Sequence, residues 1–240
     1  MRARSVSRQL ALMDAIEVPF KREVYRERNR YIAATAEDYR RTRSLSDRLF
    51  NDHAENINAI FNKYYKRAMV YFTSEASRQL DKERKLSLWE ALLARYVAKD
   101  AGRKAQEVAG TTREDIRRII ARAYEDDGAT EDAVIKALLT SRGLSAFRAT
   151  TIARTETHAA AMFASLGTAQ SIARTDGLTL YKIWNATGDD RTREDHALAD
   201  GQKVGLNEDF SVGGESISAP GEGSPENAIN CRCVLTYEGE

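Results

Sequence analysis

Proline is scarce in this sequence of 240 residues, which contains only Pro19, Pro220 and Pro225. Because proline interrupts helix interiors, the long stretch from Phe20 to Ala219 is free to form helices. Long apolar runs are also missing, since no segment approaches the roughly 18 apolar residues needed to span a bilayer. We therefore predict a helical protein without a membrane partner.

Cysteine is nearly absent, and the two that occur, Cys231 and Cys233, are separated by a single residue. A disulfide between residues this close is strained. The pattern excludes a disulfide-stapled scaffold and favours a reducing compartment.

Several catalytic motifs are missing from the sequence as well. It contains no GxxxxGK(S/T) phosphate loop, no GxGxxG, no HExxH and no GxSxG. His158 follows Glu156 too closely for the zinc-protease spacing. These absences favour a non-enzymatic role, although a nucleophilic pair of His196 with Cys231 or Cys233 stays open.

Charge is plentiful but unevenly placed: 30% of the residues are charged, yet the net charge is +1. This content, with a mean hydropathy of -0.54, fits long amphipathic helices with wide solvated faces. Residues 1–50 are rich in arginine, whereas residues 185–240 are acidic. The basic end suits contact with DNA or an acidic protein surface. A solvated helical face is the favoured explanation, because glutamates are interleaved with the arginines.

Hydrophobic periodicity predicts helices from about Ala36 onward, whereas residues 1–35 indicate a short helix and then an extended arm around Pro19. Two apolar stripes with three- and four-residue spacing mark the first helices. The first stripe comprises Ile57, Ile60, Phe61, Tyr64, Tyr65, Ala68, Met69 and Phe72, and the second comprises Leu86, Trp89, Leu92, Leu93, Tyr96 and Val97.

Local signals predict the ends of three further helices. Thr111-Thr112 indicates a helix start and Asp127-Gly128 its end. Thr130 caps the next helix. Ser145 opens the last one, which stops at Asp176-Gly177. The predicted buried face of the middle helix comprises Val134, Ile135, Leu138 and Leu139.

The C-terminal pattern is that of a small sheet. Residues 178–184 alternate as a strand does, and residues 234–237 predict a closing strand that pairs with it. Most of residues 205–225 have loop character. The predicted fold is a mainly α N-terminal region of long amphipathic helices, followed by a small α+β C-terminal domain. We place the two domains at residues 1–110 and 111–240.

Three C-terminal residues form a metal-ligand pattern. Alternate residues of a strand point the same way, so Cys231 and Cys233 place both sulfurs on one face. With His196 they make a partial zinc site, in which Asp190, Asp200 or a water supplies the fourth ligand. Two small buried thiols that fill a tight core explain the same residues.

Charged residues on either side of this pattern are expected to organise the domain. Arg154 and Glu156, in a helix, are expected to pair with groups of the C-terminal domain. Asp189 or Asp190 is expected to cap a short helix that carries Arg193 beside the histidine.

Taken in order, these residues resemble the C-terminal domain of the phage Mu protein F-like head morphogenesis proteins, over roughly residues 110–238. The ending Asn230-Cys231-Arg232-Cys233 is the most specific element. The other residues that carry the resemblance are Arg154, Thr155, Glu156, Thr157, Trp184, Asp190, Arg191, Arg193, His196, Asp200, Gly201, Phe210, Pro220 and Gly221.

The resemblance implies a minor head protein of a tailed phage or prophage, which has no catalytic residues and associates with the portal. It implies a role in head assembly and in handling packaged DNA, with the portal protein, other head proteins and phage DNA as partners. The implied location is the virion head near the portal, and the host cytoplasm during assembly. It also implies a metal site, which we place on His196, Cys231 and Cys233, and zinc is the ion that these ligand types suit.

Two other functions stay open. The first is a metal-dependent or Cys–His enzyme that acts on nucleic acid, with Asp190 or Glu156 as a general base. The second is a non-specific DNA-binding accessory protein that uses the arginine-rich N-terminus.

Overall fold

The computed structural model describes residues 2–83, 87–126 and 130–240. The predicted fold class is confirmed, because long helices precede a small region with short antiparallel strands. The helices are α1 (Arg2–Thr42), α2 (Asp47–Gln79), α3 (Leu88–Tyr96), α4 (Gly102–Asp126), α5 (Glu131–Thr140) and α6 (Arg142–Asp176), with a π-helical turn (Val97–Ala101) before α4. The C-terminal elements are β1 (Leu180–Asn185), α7 (Glu194–Leu198), β2 (Lys203–Gly205), β3 (Phe210–Val212), β4 (Glu215–Ile217), α8 (Pro225–Ala228) and β5 (Val234–Gly239).

The chain divides into two compact units. The terminal unit comprises Met1–Val18, Tyr64–Tyr96 and Arg154–Glu240, and the middle unit comprises Pro19–Lys63 and Val97–Ala153. Helices α1, α2 and α6 each contribute residues to both units. The predicted domain boundary between residues 110 and 111 falls inside α4 and stays a prediction. None of the described helices combines the length and apolar character that crossing a membrane requires.

The predicted extended arm around Pro19 is wrong, because α1 is continuous through this proline. An interior proline costs a helix about 3 kcal/mol. Burying one large apolar side chain contributes about 1.5–3 kcal/mol. Four such side chains at helical spacing are buried on the two sides of Pro19, and their burial outweighs the cost of the proline. They are Met13, Ile16, Phe20 and Val24.

The predicted helix start at Thr111-Thr112 is also wrong, because α4 begins at Gly102. The two threonine hydroxyls donate to the carbonyls of Glu107 and Val108, at 2.8 and 2.9 Å. A threonine whose hydroxyl bonds to a carbonyl of the preceding turn is accommodated inside a helix. Thr111 and Thr112 therefore do not cap a helix, although threonine often does. The predicted helix end at Asp127-Gly128 lies outside the described residues.

Most of the predicted apolar faces are buried. In the α2 stripe only Ile60 is half-buried, and the other members are buried. In the second stripe Leu92 and Tyr96 are buried, and Trp89, Leu93 and Val97 are half-buried. Leu86 lies outside the described residues. In α5 the prediction for Leu139 is wrong, since 39% of it is exposed.

The start of α5 and the end of α6 lie where the sequence predicted them, whereas the start of α6 differs. Thr130 caps α5, and its Oγ1 accepts from the Ala133 amide at 3.3 Å. Helix α6 begins at Arg142, three residues before the predicted Ser145. It ends as predicted, because Gly177 adopts a positive φ of 65°.

The core of the middle unit is formed by α1, α4 and α5, with Tyr31 among its largest buried residues. The ring of Tyr31 stacks on the imidazole of buried His53 at 4.4 Å between centroids. His53 Nδ1 lies 2.8 Å from Glu27 Oε1. Burial lowers the pKa of His53 below its ordinary value, although Glu27 acts in the opposite direction.

His53 therefore gives the chain a pH-dependent stability. As the pH falls, the unfolded chain binds a proton at this histidine before the folded chain does, so folded stability is lost from about pH 6.5 downward. We expect the free energy of unfolding to fall between about pH 7 and pH 5.5, by at most about 1.4 kcal/mol per pH unit. Denaturant unfolding over this range should give a smaller slope for His53→Gln, and equal slopes would contradict the assignment.

The C-terminal sheet has the strand order β2-β1-β5, with both pairings antiparallel. The predicted pairing of the closing strand with the first is confirmed, and its register places Trp184 opposite Leu235. The first strand begins at Leu180, later than predicted, and Leu178 is 38% exposed. Gln9 of α1 donates to the Leu235 carbonyl at 2.8 Å and so ties the helix to this sheet.

The predicted loop over residues 205–225 contains a β-hairpin formed by β3 and β4. Its two-residue turn is Gly213-Gly214, with φ of 57° and 80°. Glycine pairs favour this turn, because both central residues need a positive φ. The flanking apolar residues Phe210, Val212 and Ile217 are buried, so the hairpin supplies core that the loop prediction missed.

Candidate metal centre

Three ligand-type side chains converge in the terminal unit. His196 comes from α7, and Cys231 and Cys233 come from the segment between α8 and β5. Their ligand atoms all lie within 4.8 Å of one another. The three residues are 2%, 1% and 1% exposed, respectively. The structure thus brings together the three residues that the sequence pattern named, although the cysteines precede the strand that was expected to hold them.

The distances in the cluster fit a tetrahedral metal. His196 Nδ1 lies 3.3 Å from Cys233 Sγ and 3.7 Å from Cys231 Sγ. Zinc bonds of 2.3 Å to sulfur and 2.0–2.1 Å to nitrogen separate tetrahedral N and S ligands by about 3.5 Å. The cluster can therefore hold a metal ion through Nδ1 and the two sulfurs with little rearrangement.

The imidazole is oriented by a second hydrogen bond. His196 Nε2 lies 3.2 Å from Asn227 Oδ1. Asn227 Nδ2 in turn donates to Glu215 Oε1 at 2.8 Å, which fixes the amide with its oxygen toward the ring. An Nε2–H that donates to Asn227 leaves Nδ1 as the lone-pair nitrogen facing both sulfurs, as a metal ligand requires.

The pKa values of the two thiols shift in opposite directions. Hydrogen bonding from Cys233 lowers the pKa of Cys231 well below its ordinary value, and the same bond, with burial, raises the pKa of Cys233. The hydrogen bond to Cys231 raises the pKa of His196. Neighbouring thiols cannot both ionise easily without a cation, so the donor set is one that a bound metal ion stabilises.

Aromatic rings close the site. Trp184 is 1% exposed and packs edge-on against His196 and Phe210, at 5.5 and 5.4 Å between ring centroids. Its backbone accepts from the Gly201 amide at 2.9 Å. Trp184 is thus packed directly against one proposed ligand, and its structural role stays a prediction.

The family of the chain follows from the same region. A family model described as Phage Mu protein F like protein matches residues 108–236, more than half of the 240 residues. The chain belongs to this family. The match includes all three residues of the candidate metal centre.

Two relatives match shorter segments of this Mu F-like chain. The minor head protein GP7 of Bacillus phage SPP1 is 34% identical over 96 residues, which is 39% of this chain and 30% of GP7. The NAD(+)--arginine ADP-ribosyltransferase EFV of Enterococcus faecalis is 37% identical over 59 residues, which is 24% of this chain and 12% of EFV. The chain thus spans less than a third of either relative. No solved structure matches it.

The two aspartates predicted as further ligands lie outside the cluster. Asp190 and Asp200 are both exposed. Asp200 Oδ1 accepts from the Ala186 amide at 2.9 Å, and so fastens the segment after β1. Asp189 does not cap α7, whose N-cap is Arg193. It forms a bidentate pair with Arg232 at 2.5 and 2.6 Å.

Helix α6 contacts the C-terminal segment through Thr155 and His158. Arg154 pairs with Glu17 of α1 at 3.4 Å, and Glu156 accepts from Tyr65 of α2 at 2.6 Å. These contacts join α6 to the N-terminal helices, and the expected pairing of Arg154 and Glu156 with groups of the C-terminal domain stays a prediction. The hydroxyl of Thr155, between them, accepts from the Asn230 amide at 3.1 Å.

His158 and Asn227 are site residues that the sequence interpretation missed. His158, 1% exposed, donates from Nε2 to the Cys233 carbonyl at 2.6 Å. The position four residues after Arg154 on one helix face was the available signal for His158. Nothing comparable marked Asn227, because its relation to His196 arises only from tertiary folding.

The remaining family residues shape the backbone around the centre. Arg193 donates to the Ile229 carbonyl at 2.5 Å, and exposed Arg191 lies 3.5 Å from Asp189. Gly201 has a φ of 79°, which favours glycine there. Pro220 is buried.

Proposed function

We propose that this chain is a minor head protein of a tailed phage or prophage, that it associates with the portal, and that it acts in head assembly and in handling packaged DNA. The observation that carries the proposal is the family match over residues 108–236, together with the similarity to a phage minor head protein. The virion head near the portal is the proposed location, and the host cytoplasm is the place of assembly.

The burial of the candidate centre supports assembly rather than catalysis. A catalytic metal or thiol needs an open position for substrate, whereas His196, Cys231 and Cys233 are each at most 2% exposed. The same burial argues against the alternative Cys–His or metal-dependent enzyme. The similarity to EFV covers 12% of that protein, so its named activity carries no proposal for this chain.

We further propose that the centre binds zinc as a structural ion. His196, Cys231 and Cys233 would hold it, and the ion would supply cross-links between α7 and the segment before β5. The tetrahedral fit of the N–S distances and the orienting bond from Asn227 support this proposal. The fourth ligand would be a water enclosed in the buried site, out of reach of a substrate, or a group from outside the cluster.

The helical region over residues 1–110 is proposed to contact the portal, other head proteins or DNA. Many of its arginines pair with acidic residues one turn away: Arg30 with Glu27, Arg40 with Glu37, and Arg41 with Asp38. These pairs favour a solvated, charge-balanced face over a dedicated DNA-binding arm. Protein contacts are therefore the main role that we propose for this surface.

Co-purification with the portal tests the proposed function. The chain would be co-expressed with the portal protein of the phage or prophage that encodes it, and the complex would be followed by size-exclusion chromatography at physiological salt. We expect the chain to elute with the portal oligomer and to be absent from the portal of an unrelated phage. Separate elution of chain and portal, at low as well as physiological salt, would overturn the proposal.

A further inference from the structure

A basic cavity lies within the middle unit. Its volume is about 300 Å³, at the lower end of the range of small-ligand pockets. Among the residues that the structure describes, four arginines line it, Arg28, Arg118, Arg122 and Arg148, against one carboxylate, Asp115. The lining is thus strongly unbalanced toward positive charge.

Arg28 is the buried arginine of this cavity, with its side chain 4% exposed. It donates to Thr112 Oγ1 at 2.5 Å and lies 3.5 Å from Asp115 Oδ2. Its buried Nε has no hydrogen-bond partner among the described residues. Burial and the charge of Arg148 lower the pKa of the Arg28 guanidinium to about 10.

The single carboxylate does not balance the other arginines. Asp115 also accepts from Arg118, at 2.5 Å. Within residues 2–83, 87–126 and 130–240, Arg122 and Arg148 form no ion pair, and the buried Nε of Arg148 lacks a hydrogen-bond partner. Arg122 is exposed and Arg148 is half-buried, but a buried guanidinium nitrogen without a hydrogen-bond partner, such as Nε of Arg148 or Arg28, is costly. An anion in the cavity would remove that cost.

An aromatic ring stands at the same cavity. Phe147 lines it and is 76% exposed, the most exposed aromatic among the large exposed hydrophobics. It directly precedes Arg148 in α6. Bases stack on exposed aromatic rings while arginines bind the neighbouring phosphates.

We propose that this cavity binds a phosphate group of a nucleotide or a nucleic-acid strand, with Arg148 and Arg28 donating to the phosphate and Phe147 stacking on the base. Inorganic phosphate shares the chemistry of the arginine contacts but lacks the base. The inference deepens the proposed handling of DNA and does not depend on portal association.

Binding to the isolated full chain tests the site, with inorganic phosphate and a short 5′-phosphorylated single-stranded oligonucleotide as the two probes in titration calorimetry. We expect Arg148→Gln to weaken both roughly ten-fold, as the loss of one charge-assisted hydrogen bond does. Phe147→Ala should weaken the oligonucleotide roughly ten-fold and leave phosphate unchanged. Arg122→Gln, at an exposed position, provides a second pocket variant should Arg148→Gln fold poorly.

Arg117→Gln is the matched control, because Arg117 lies on the same helix as Arg118, pairs with Glu114 and does not line the cavity. Equal oligonucleotide affinity in the parent, Arg148→Gln and Arg122→Gln would place DNA on the arginine-rich surface and overturn the site. Tighter binding of a glutamate-rich peptide than of the oligonucleotide would overturn the ligand class. Neither result bears on portal co-purification, so the two proposals fail separately.

Discussion

Replacing Cys231 and Cys233 together by serine is expected to abolish metal binding and to destabilise the terminal unit more than any surface change. The parent, purified without chelator, should carry about one zinc ion per chain. Serine keeps the size of the side chain but is a poor zinc ligand, so two of the three donors are lost. A ligand present at 1,000 times its Kd contributes about 4 kcal/mol to stability, which the variant would lose.

The measurement combines elemental analysis with thermal unfolding of the parent and the double variant. Asn227→Ala is the graded control, because it removes the orienting partner of His196 and leaves every proposed ligand in place. Loss of such a partner weakens metal affinity by about 10–100-fold. Asn227→Ala should therefore keep its zinc at saturating metal and lose it at a lower chelator concentration than the parent.

The alternative interpretation of the cysteines predicts a different pattern. If they only fill the core, the parent contains no zinc and chelator does not change its melting temperature. The double variant then loses only about 1 kcal/mol for each substitution, as ordinary point mutations do. That result would remove the structural zinc proposal. It would leave the family assignment intact, because that assignment rests on residues 108–236 as a whole.

Local pattern was sufficient for the parts of the fold that depend on neighbouring residues. The apolar stripe of α2, the Thr130 cap and the stop at Gly177 each follow from residues within one or two turns. The pairing of β1 with β5 was also predictable, since two apolar segments flank a polar stretch. The Cys231-Cys233 spacing brought both sulfurs to one place even though the cysteines precede β5.

Tertiary burial decided the features that local pattern missed. Helix α1 continues through Pro19 because the burial of its apolar face outweighs the cost of an interior proline. That burial arises only in the folded chain. The pairing of Arg154 with Glu17 joins residues 137 positions apart. The Asn227–His196 contact likewise spans 31 positions, and no spacing rule in a single sequence predicts such partners.

Trp184→Ala is expected to cause the second large loss of stability, about 3–5 kcal/mol in the free energy of unfolding, because it empties a fully buried indole site. The indole packs on both His196 and Phe210, so the variant should also weaken metal retention. Trp184→Phe keeps part of the ring volume and should lose less. Denaturant unfolding with saturating zinc separates the packing loss from the metal loss.

Trp89 provides a matched control for this change. It is the other tryptophan of the chain and also belongs to the terminal unit. It is half-buried, and Lys66 Nζ lies 5.4 Å from the centre of its ring. A cation–π contact at such a site contributes about 0.5–1 kcal/mol, so Trp89→Ala should cost much less than Trp184→Ala. Equal losses in the free energy of unfolding from the two alanine variants would contradict the prediction. The buried tryptophan would then stabilise the protein no more than the half-buried one.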